Sequence, residues 1–177
     1  MKYSWGMVTI DTPRIDFDAL QPSIRPYSSE DFLWGVELLE ATGGRYRVRR
    51  GAAIDVAVLP GLIAEQNGQP VALLTLARHR EELEIVVVAS HTYDVDLLRL
   101  LIDAAKNYAS PMCRRVYTIC SNAELELQRQ LQIYGFRLSN CRPGNIEAVE
   151  RRETAPLTMM FDGLLVRDEL EFEQLLP

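Results

Sequence analysis

Four arginines, Arg45, Arg47, Arg49 and Arg50, interleave with Tyr46 and Val48 and make the one basic cluster of this sequence. Such a cluster can meet an anion, or it can serve as a solvated helix or loop face that balances nearby acids. Glu84 is a second point of chemical interest, a lone acid inside the apolar run Leu83-Glu84-Ile85-Val86. It suits either the exposed face of a half-covered sheet or a buried carboxyl, whose surroundings would raise its pKa. Cys113, Cys120 and Cys141 form no CxxC pair, and His79 and His91 lie far from all three in sequence. No metal site is expected from that spacing, and the thiols are expected to be free and mostly buried, as in a reducing cytosol.

Ordinary elements must position these groups. The chain has 177 residues, 47% hydrophobic and 25% charged, which fits one compact domain with room for peripheral additions. Its 25 acids against 19 bases leave a formal net charge of −6. A broad grip on nucleic acid or an anionic membrane is therefore not expected, and an anionic ligand needs a local device. The first residues offer no apolar stretch long enough for a signal peptide or a span, so a cytoplasmic protein is expected. Residues 1–22, with Pro13 and Pro22 and little periodicity, read as an extension, and residues 23–177 as the domain.

Within the domain, a strand near Ile24 to Pro26 meets the helix-start signal Ser28-Ser29-Glu30-Asp31. Phe32, Val36 and Leu39 then predict one helical stripe, ended by Gly43-Gly44. Asn67-Gly68 between Leu62–Glu65 and Val71–Ala77 predicts a tight hairpin, and a second reversal at His79 to Glu82 leads into Leu83–Ala89. Leu97, Leu98, Leu101, Ile102, Ala105 and Tyr108 predict a helix with Thr92 and Asp94 as caps, stopped near Ser110-Pro111. Val116 to Cys120 reads as a strand, followed by a helix from an Asn122 cap to Tyr134, with Gly135 as terminator and Phe136 folding back. At the far end Asp168, Leu170 and Phe172 alternate with Glu169, Glu171 and Glu173, predicting a closing strand with one acidic face and one mostly buried face. The rhythm of strands and helices is that of a mixed α/β sheet.

The run Arg115 to Asn122, the helix after it and Tyr134-Gly135-Phe136-Arg137-Leu138 resemble the second half of GNAT-superfamily N-acetyltransferases. Upstream, Leu59 to Glu65, Asn67-Gly68, Leu73 to Thr75 and Leu83 to Val86 are similar to the central meander of small bacterial members, and Arg167 to Glu171 to their closing strand. The resemblance spans roughly Ile24 to Glu173. It implies an α/β GNAT-like (acyl-CoA N-acyltransferase) fold, a mixed and mostly antiparallel central sheet of six or seven strands flanked by about four helices. It also implies acetyl-CoA as co-substrate and direct transfer to a primary amine of a small molecule or a protein; a second copy of the chain is a candidate partner. Two parallel strands splay in that fold, and pantetheine lies in the gap with pyrophosphate on helix-start amides. By that resemblance Val86, Val87 and Val88 offer backbone to pantetheine, and Asn122 lies near the thiol unless capping is its whole role. Glu84 is then the candidate general base with His91 a second choice, and Tyr134 is a candidate acid.

Two departures bear on activity. The family's glycine-rich helix entrance is here Ser90-His91-Thr92-Tyr93-Asp94-Val95-Asp96, without glycine. Asp94 and Asp96 would sit where the diphosphate belongs, and like unit charges about 4 Å apart repel by about 4 kcal/mol at an effective dielectric near 20. The tyrosine that many relatives carry four residues before the glycine is Leu131. The alternative reading is a GNAT-fold binding or assembly module with weak or no acyl-CoA binding.

Overall fold

A computed structural model of the chain describes residues 22–92, 94–109, 112–151 and 160–177. The extension expected over residues 1–22 lies, except for its last residue, outside them. In chain order the elements are β1 (Ser23–Pro26), α1 (Phe32–Ala41), β2 (Tyr46–Arg49), β3 (Ala52–Asp55), β4 (Gly61–Gln66), β5 (Gln69–His79), β6 (Glu82–Ser90) and α2 (Val95–Ala109). There follow β7 (Arg115–Ser121), α3 (Leu125–Ile133), β8 (Arg137–Arg142), α4 (Asn145–Glu150), β9 (Met160–Phe161), β10 (Leu164–Leu165) and β11 (Glu169–Leu175). No described helix is long and apolar enough to cross a membrane.

Local signals set the turns. Asn67 and Gly68 both take positive φ, at 54° and 71°, which matches the right-handed twist of the β4–β5 hairpin. Gly135 at φ 85° ends α3, and the Phe136 amide reaches back to the Leu131 carbonyl at 2.9 Å, tucking the Phe136 ring into the core. Ser28 and Asp31 form a reciprocal capping box before α1. The buried stripe of α1 is Gly35, Leu38 and Leu39, with Phe32 and Val36 only partly buried at its margin.

The seven-stranded sheet runs β1-β4-β5-β6-β7-β11-β8. All its pairings are antiparallel except β6 with β7. The last strand therefore closes the sheet from within, between β7 and β8, and β8 is the edge. On one face α2 and α3 cover Ala64, Leu74, Leu83, Ile85, Val116 and Phe172. On the other, α1 and the short turn Val56–Val58 cover Ile63, Leu73, Val86, Val87 and Ala89.

Sequence alternation misjudged β11. Its acidic face was expected to be the open one, yet Glu169 and Glu171 are 0% and 4% exposed. They face the side of the sheet that carries Glu84 and Tyr117 and that the β2–β3 hairpin covers. Arg115 neutralises Glu171 at 3.0 Å and Glu173 at 2.7 Å, and Arg142 reaches Glu171 at 3.1 Å. A buried carboxylate persists only with such partners.

Candidate active site

The site grows out of one irregularity in β6. Thr75 faces Val87 and Leu76 faces Ile85, leaving Val86 as an unpaired extra residue. Both Val86 and Val87 consequently turn to the α1 face, as a β-bulge requires. The parallel ladder with β7 stops at the same point, its last pair being Ile85 with Thr118. Beyond it the two strands part. A cavity of about 670 Å3 occupies the parting, between the start of α2 and the end of α1, within the size range of small-molecule sites. Val88, Ala89 and Ser90 of β6 line one wall, Leu97 and Leu98 of α2 and Leu127 of α3 another. A second cavity of about 50 Å3 lies on the hairpin side, against Val48, Ile119, Ser121, Ile146, Val166 and Glu169. A third, very small cavity lies beside both, sharing Arg49 and Ile119 with the smaller and Val88 and Leu127 with the larger. Arg47 and Glu124 line all three.

Two of the four arginines, Arg47 and Arg49, line this site, while Arg45 balances a nearby acid, Asp55. Arg50 and Gly51 both have positive φ, 53° and 87°, and fold β2 back on β3. The alternation of β2 sends Val48 into a small core with Ala123, Ile146, Val149 and Val166, and turns Arg47 and Arg49 toward the parting of the sheet. Arg49 Nε donates to Glu84 Oε1 at 2.9 Å, and its Nη2 donates to the Val86 carbonyl. Arg50 Nη2 donates to the Tyr117 hydroxyl at 2.9 Å, which donates to Glu84 Oε2 at 2.9 Å. His79 Nε2 stands 3.3 Å from the same oxygen. Arg47 Nη1 donates to the carbonyls of Gly43, Gly44 and Tyr46, and burial pulls its pKa below the ordinary guanidinium value. Burial and the Glu84 charge hold the Tyr117 phenol well above its usual range. Tyr117 is thus a neutral hydrogen-bond bridge.

No protein-family model matches the sequence, and no curated protein matches it. Solved structures do. An IAA acetyltransferase from Bacillus cereus superposes with a TM-score of 0.64 at 18% identity, over 88% of this chain and 100% of that one. An N-acetyltransferase from Staphylococcus aureus gives 0.64 at 14%, over 88% and 97%. A GNAT family acetyltransferase from Elizabethkingia anophelis with acetyl-CoA bound gives 0.60 at 15%, over 88% and 98%. The chain has the GNAT fold.

Within the GNAT fold the parting of β6 and β7 is the splay expected from the sequence, and the residues assigned to it fall unevenly around it. Val88 lines the large cavity, whereas Val86 and Val87 line only the third, very small one, and the Val86 carbonyl is already taken by Arg49. His91 is exposed at the rim of the large cavity. Glu84, 3% exposed, has both oxygens engaged by Arg49, Tyr117 and His79. Tyr134 does not line the cavity; its hydroxyl donates to the Val95 carbonyl at 2.6 Å and ties the end of α3 to the first turn of α2. Leu131 is buried in the core.

Asn122 is not the cap of α3, which starts at Leu125. Its side chain donates to the Leu165 carbonyl at 3.0 Å and accepts from the amides of Arg167 and Asp168 at 2.8 and 3.0 Å, so it pins the returning chain. The Glu124 carboxylate instead accepts the Ser121 amide at 2.6 Å, while Gln128 donates to the Ser121 carbonyl at 2.9 Å. At the start of α2, Asp94 is a true cap: its Oδ1 accepts the amides of Asp96 at 2.9 Å and Leu97 at 3.2 Å. The amides that a GNAT fold turns toward phosphate thus already face a carboxylate.

Tyr117, Glu124 and Glu169 were not singled out from the sequence. Tyr117 and Glu169 sit at alternating positions of strands that the sequence did reveal, but their partners lie far along the chain. Arg50-Gly51 between Tyr46–Arg49 and Ala52–Asp55 was the available signal for the hairpin. Among the described residues no cluster of His, Cys, Asp and Glu has the arrangement of a metal site; Cys113 and Cys120 are buried and Cys141 is exposed, all three free.

Proposed function

We propose that the protein is an acetyl-CoA-dependent N-acetyltransferase acting on a primary amine of a small molecule or protein by direct transfer. The observation that carries this reading is the splay at Ile85 and Thr118, beside which a large cavity and a small one share Gly43, Arg47, Glu124 and Phe161 in their walls. An acyl donor in one cavity and an amine in the other would meet at their shared wall without a covalent enzyme intermediate. The acetyl-CoA bound in the relative from Elizabethkingia anophelis supports this choice of donor. The fit differs along the ligand. Val88, Ala89 and the apolar side chains of α2 and α3 suit a pantetheine arm, whereas the diphosphate end would have to displace the Asp94 cap. Acetyl-CoA supplies the thioester when bound. Of the chain's own residues, the Val86 bulge holds the strands apart, and Arg47 and Glu124 line the wall that the two cavities share.

A second reading, a GNAT-fold binding or assembly module with weak or no acyl-CoA binding, is favoured by the two internal ligands of the site. Arg49 takes the Val86 carbonyl and Asp94 takes the helix amides. Calorimetric titration with acetyl-CoA, followed by thiol release over a panel of amines, separates them. Micromolar binding with turnover supports the enzyme. No heat at millimolar acetyl-CoA overturns it in favour of the module.

A further inference from the structure

We infer that the large cavity is a site for an organic cation with an apolar body, of the alkylammonium class. The inference goes beyond the acetyltransferase reading and does not rest on it. Burial sorts the wall of the cavity of about 670 Å3 into two zones. Its buried members, Ala72, Ala89, Leu97, Leu98 and Leu101, are all apolar, a floor on which a hydrocarbon chain would lose its contact with water. Its exposed charged members, Asp94, Glu126 and Asp162, are all acids and mark the mouth. His91 is exposed there as well and is counted neutral at pH 7.

An anion entering this space meets donors that already have partners. Arg47, the one cation of the wall among the described residues, has Nη1 on the carbonyls of Gly43, Gly44 and Tyr46. The first amides of α2 face Asp94 Oδ1. Four acids, Asp94, Glu124, Glu126 and Asp162, against that one arginine leave the wall a formal charge of −3. Charges of one sign around a cleft with apolar walls focus their field into it and raise the local concentration of counter-ions. Two of the acids are partly offset: Glu124 accepts the Ser121 amide at 2.6 Å, and Glu126 pairs with Arg129 at 3.1 Å in an exposed contact of little strength. Asp162, in the turn between β9 and β10, has no hydrogen bond or ion pair among the described residues. Phe161 beside it lines the same cavity and supplies an aromatic ring, which attracts an ammonium as the carboxylates do.

The test uses the full-length chain without acetyl-CoA and two probes of equal chain length and opposite charge, octyltrimethylammonium and octanesulfonate. Calorimetry at low salt is expected to give saturable binding of the ammonium, at least about tenfold tighter than that of the sulfonate. The double variant E126Q/D162N is expected to cut this preference at least about threefold. E81Q, which removes an exposed acid on the turn between β5 and β6, outside the cavity, is expected to leave it unchanged. Equal binding of the two probes, no saturable binding of the ammonium, a preference untouched by E126Q/D162N, or one that E81Q cuts as much, overturns the assignment. The probe comparison needs no variant, so a misfolded double variant does not blunt the test. With acetyl-CoA added, the two ligands are expected to exclude each other. Simultaneous binding overturns this inference and keeps the acetyltransferase reading, whereas ammonium binding with no heat from acetyl-CoA keeps this inference and removes that reading.

Discussion

Glu169 and Tyr117 hold opposite places in the same buried layer, one an acid whose Oε2 has only a long ion pair with Arg142 at 3.8 Å, the other a phenol with a partner on each side. For Glu169 the folded state favours the neutral form, because burial raises its pKa. The cost of ionising it in the fold is therefore absent below the ordinary carboxylate range and is present in full once pH rises past the raised value. E169Q is expected to melt at the same temperature as the unaltered protein near pH 4 and several degrees higher near pH 8, read by circular dichroism. A Tm difference that does not change with pH would contradict this account. Tyr117 sits between Arg50 and Glu84 with 2.9 Å contacts to each. Y117F removes a hydrogen bond to a charged group and is expected to cost about 1.5–3 kcal/mol in urea unfolding. A loss under about 0.5 kcal/mol would mean that water replaces the hydroxyl freely. Neither role was legible in the sequence. Glu84 drew notice because it interrupts an apolar run, while Glu169 stood in an alternating strand whose acids looked solvent-facing.

At the scale of elements, the features read correctly were those decided within a few residues. Asn67-Gly68, Gly135-Phe136 and the Asp94 cap are local contests between backbone conformations, so neighbouring residue types settle them. The β2–β3 hairpin was missed because its arginines answer groups supplied from elsewhere: Arg49 meets the Glu84 carboxylate 35 residues on, and Arg50 meets the Tyr117 hydroxyl 67 residues on. Composition without tertiary contact makes such a segment look solvated. The Asp94 cap yields a prediction with two signs. D94A removes the acceptor of two helix amides and is expected to destabilise the protein by about 0.5–2 kcal/mol, yet to tighten acetyl-CoA binding by freeing those amides and removing a like charge. Thermal melts and calorimetry on one preparation check both. A variant that loses stability and gains no affinity would show that phosphate never approaches this turn.

For the whole molecule, the sheet order explains both the charge balance and its pH limit. The resemblance read in the sequence led to the correct fold, because strand lengths, turns and helix stripes are patterned along the chain. The burial of the acidic face of β11 was not legible, since alternation gives two faces without saying which one receives arginines. Arg115 holds the Glu82 and Glu173 carboxyls below their usual range, Arg25 does so for Asp31 and Arg45 for Asp55. Each of these groups stabilises the fold above the ordinary carboxylate pKa, and that support is lost as pH falls through the folded values. Urea unfolding is expected to show stability falling steadily below about pH 4, apart from the smaller opposite trend of Glu169; a flat profile from pH 6 to 3 would remove these pairs from the account. The position of β11 has a further consequence in time. It follows every other described strand in chain order, yet β7 and β8 meet only through it. Until it is available, β8 has no neighbour in the sheet, and Arg115 has Glu82 but not Glu171 and Glu173 to pair with. During translation the meander β4–β5–β6 can pair as it emerges, whereas the far edge of β7 must wait for Glu169–Leu175. A nascent chain arrested before Glu169 is thus expected to hold a half-built sheet with a bare β7 edge, the state in which this protein is most open to chaperones and proteases.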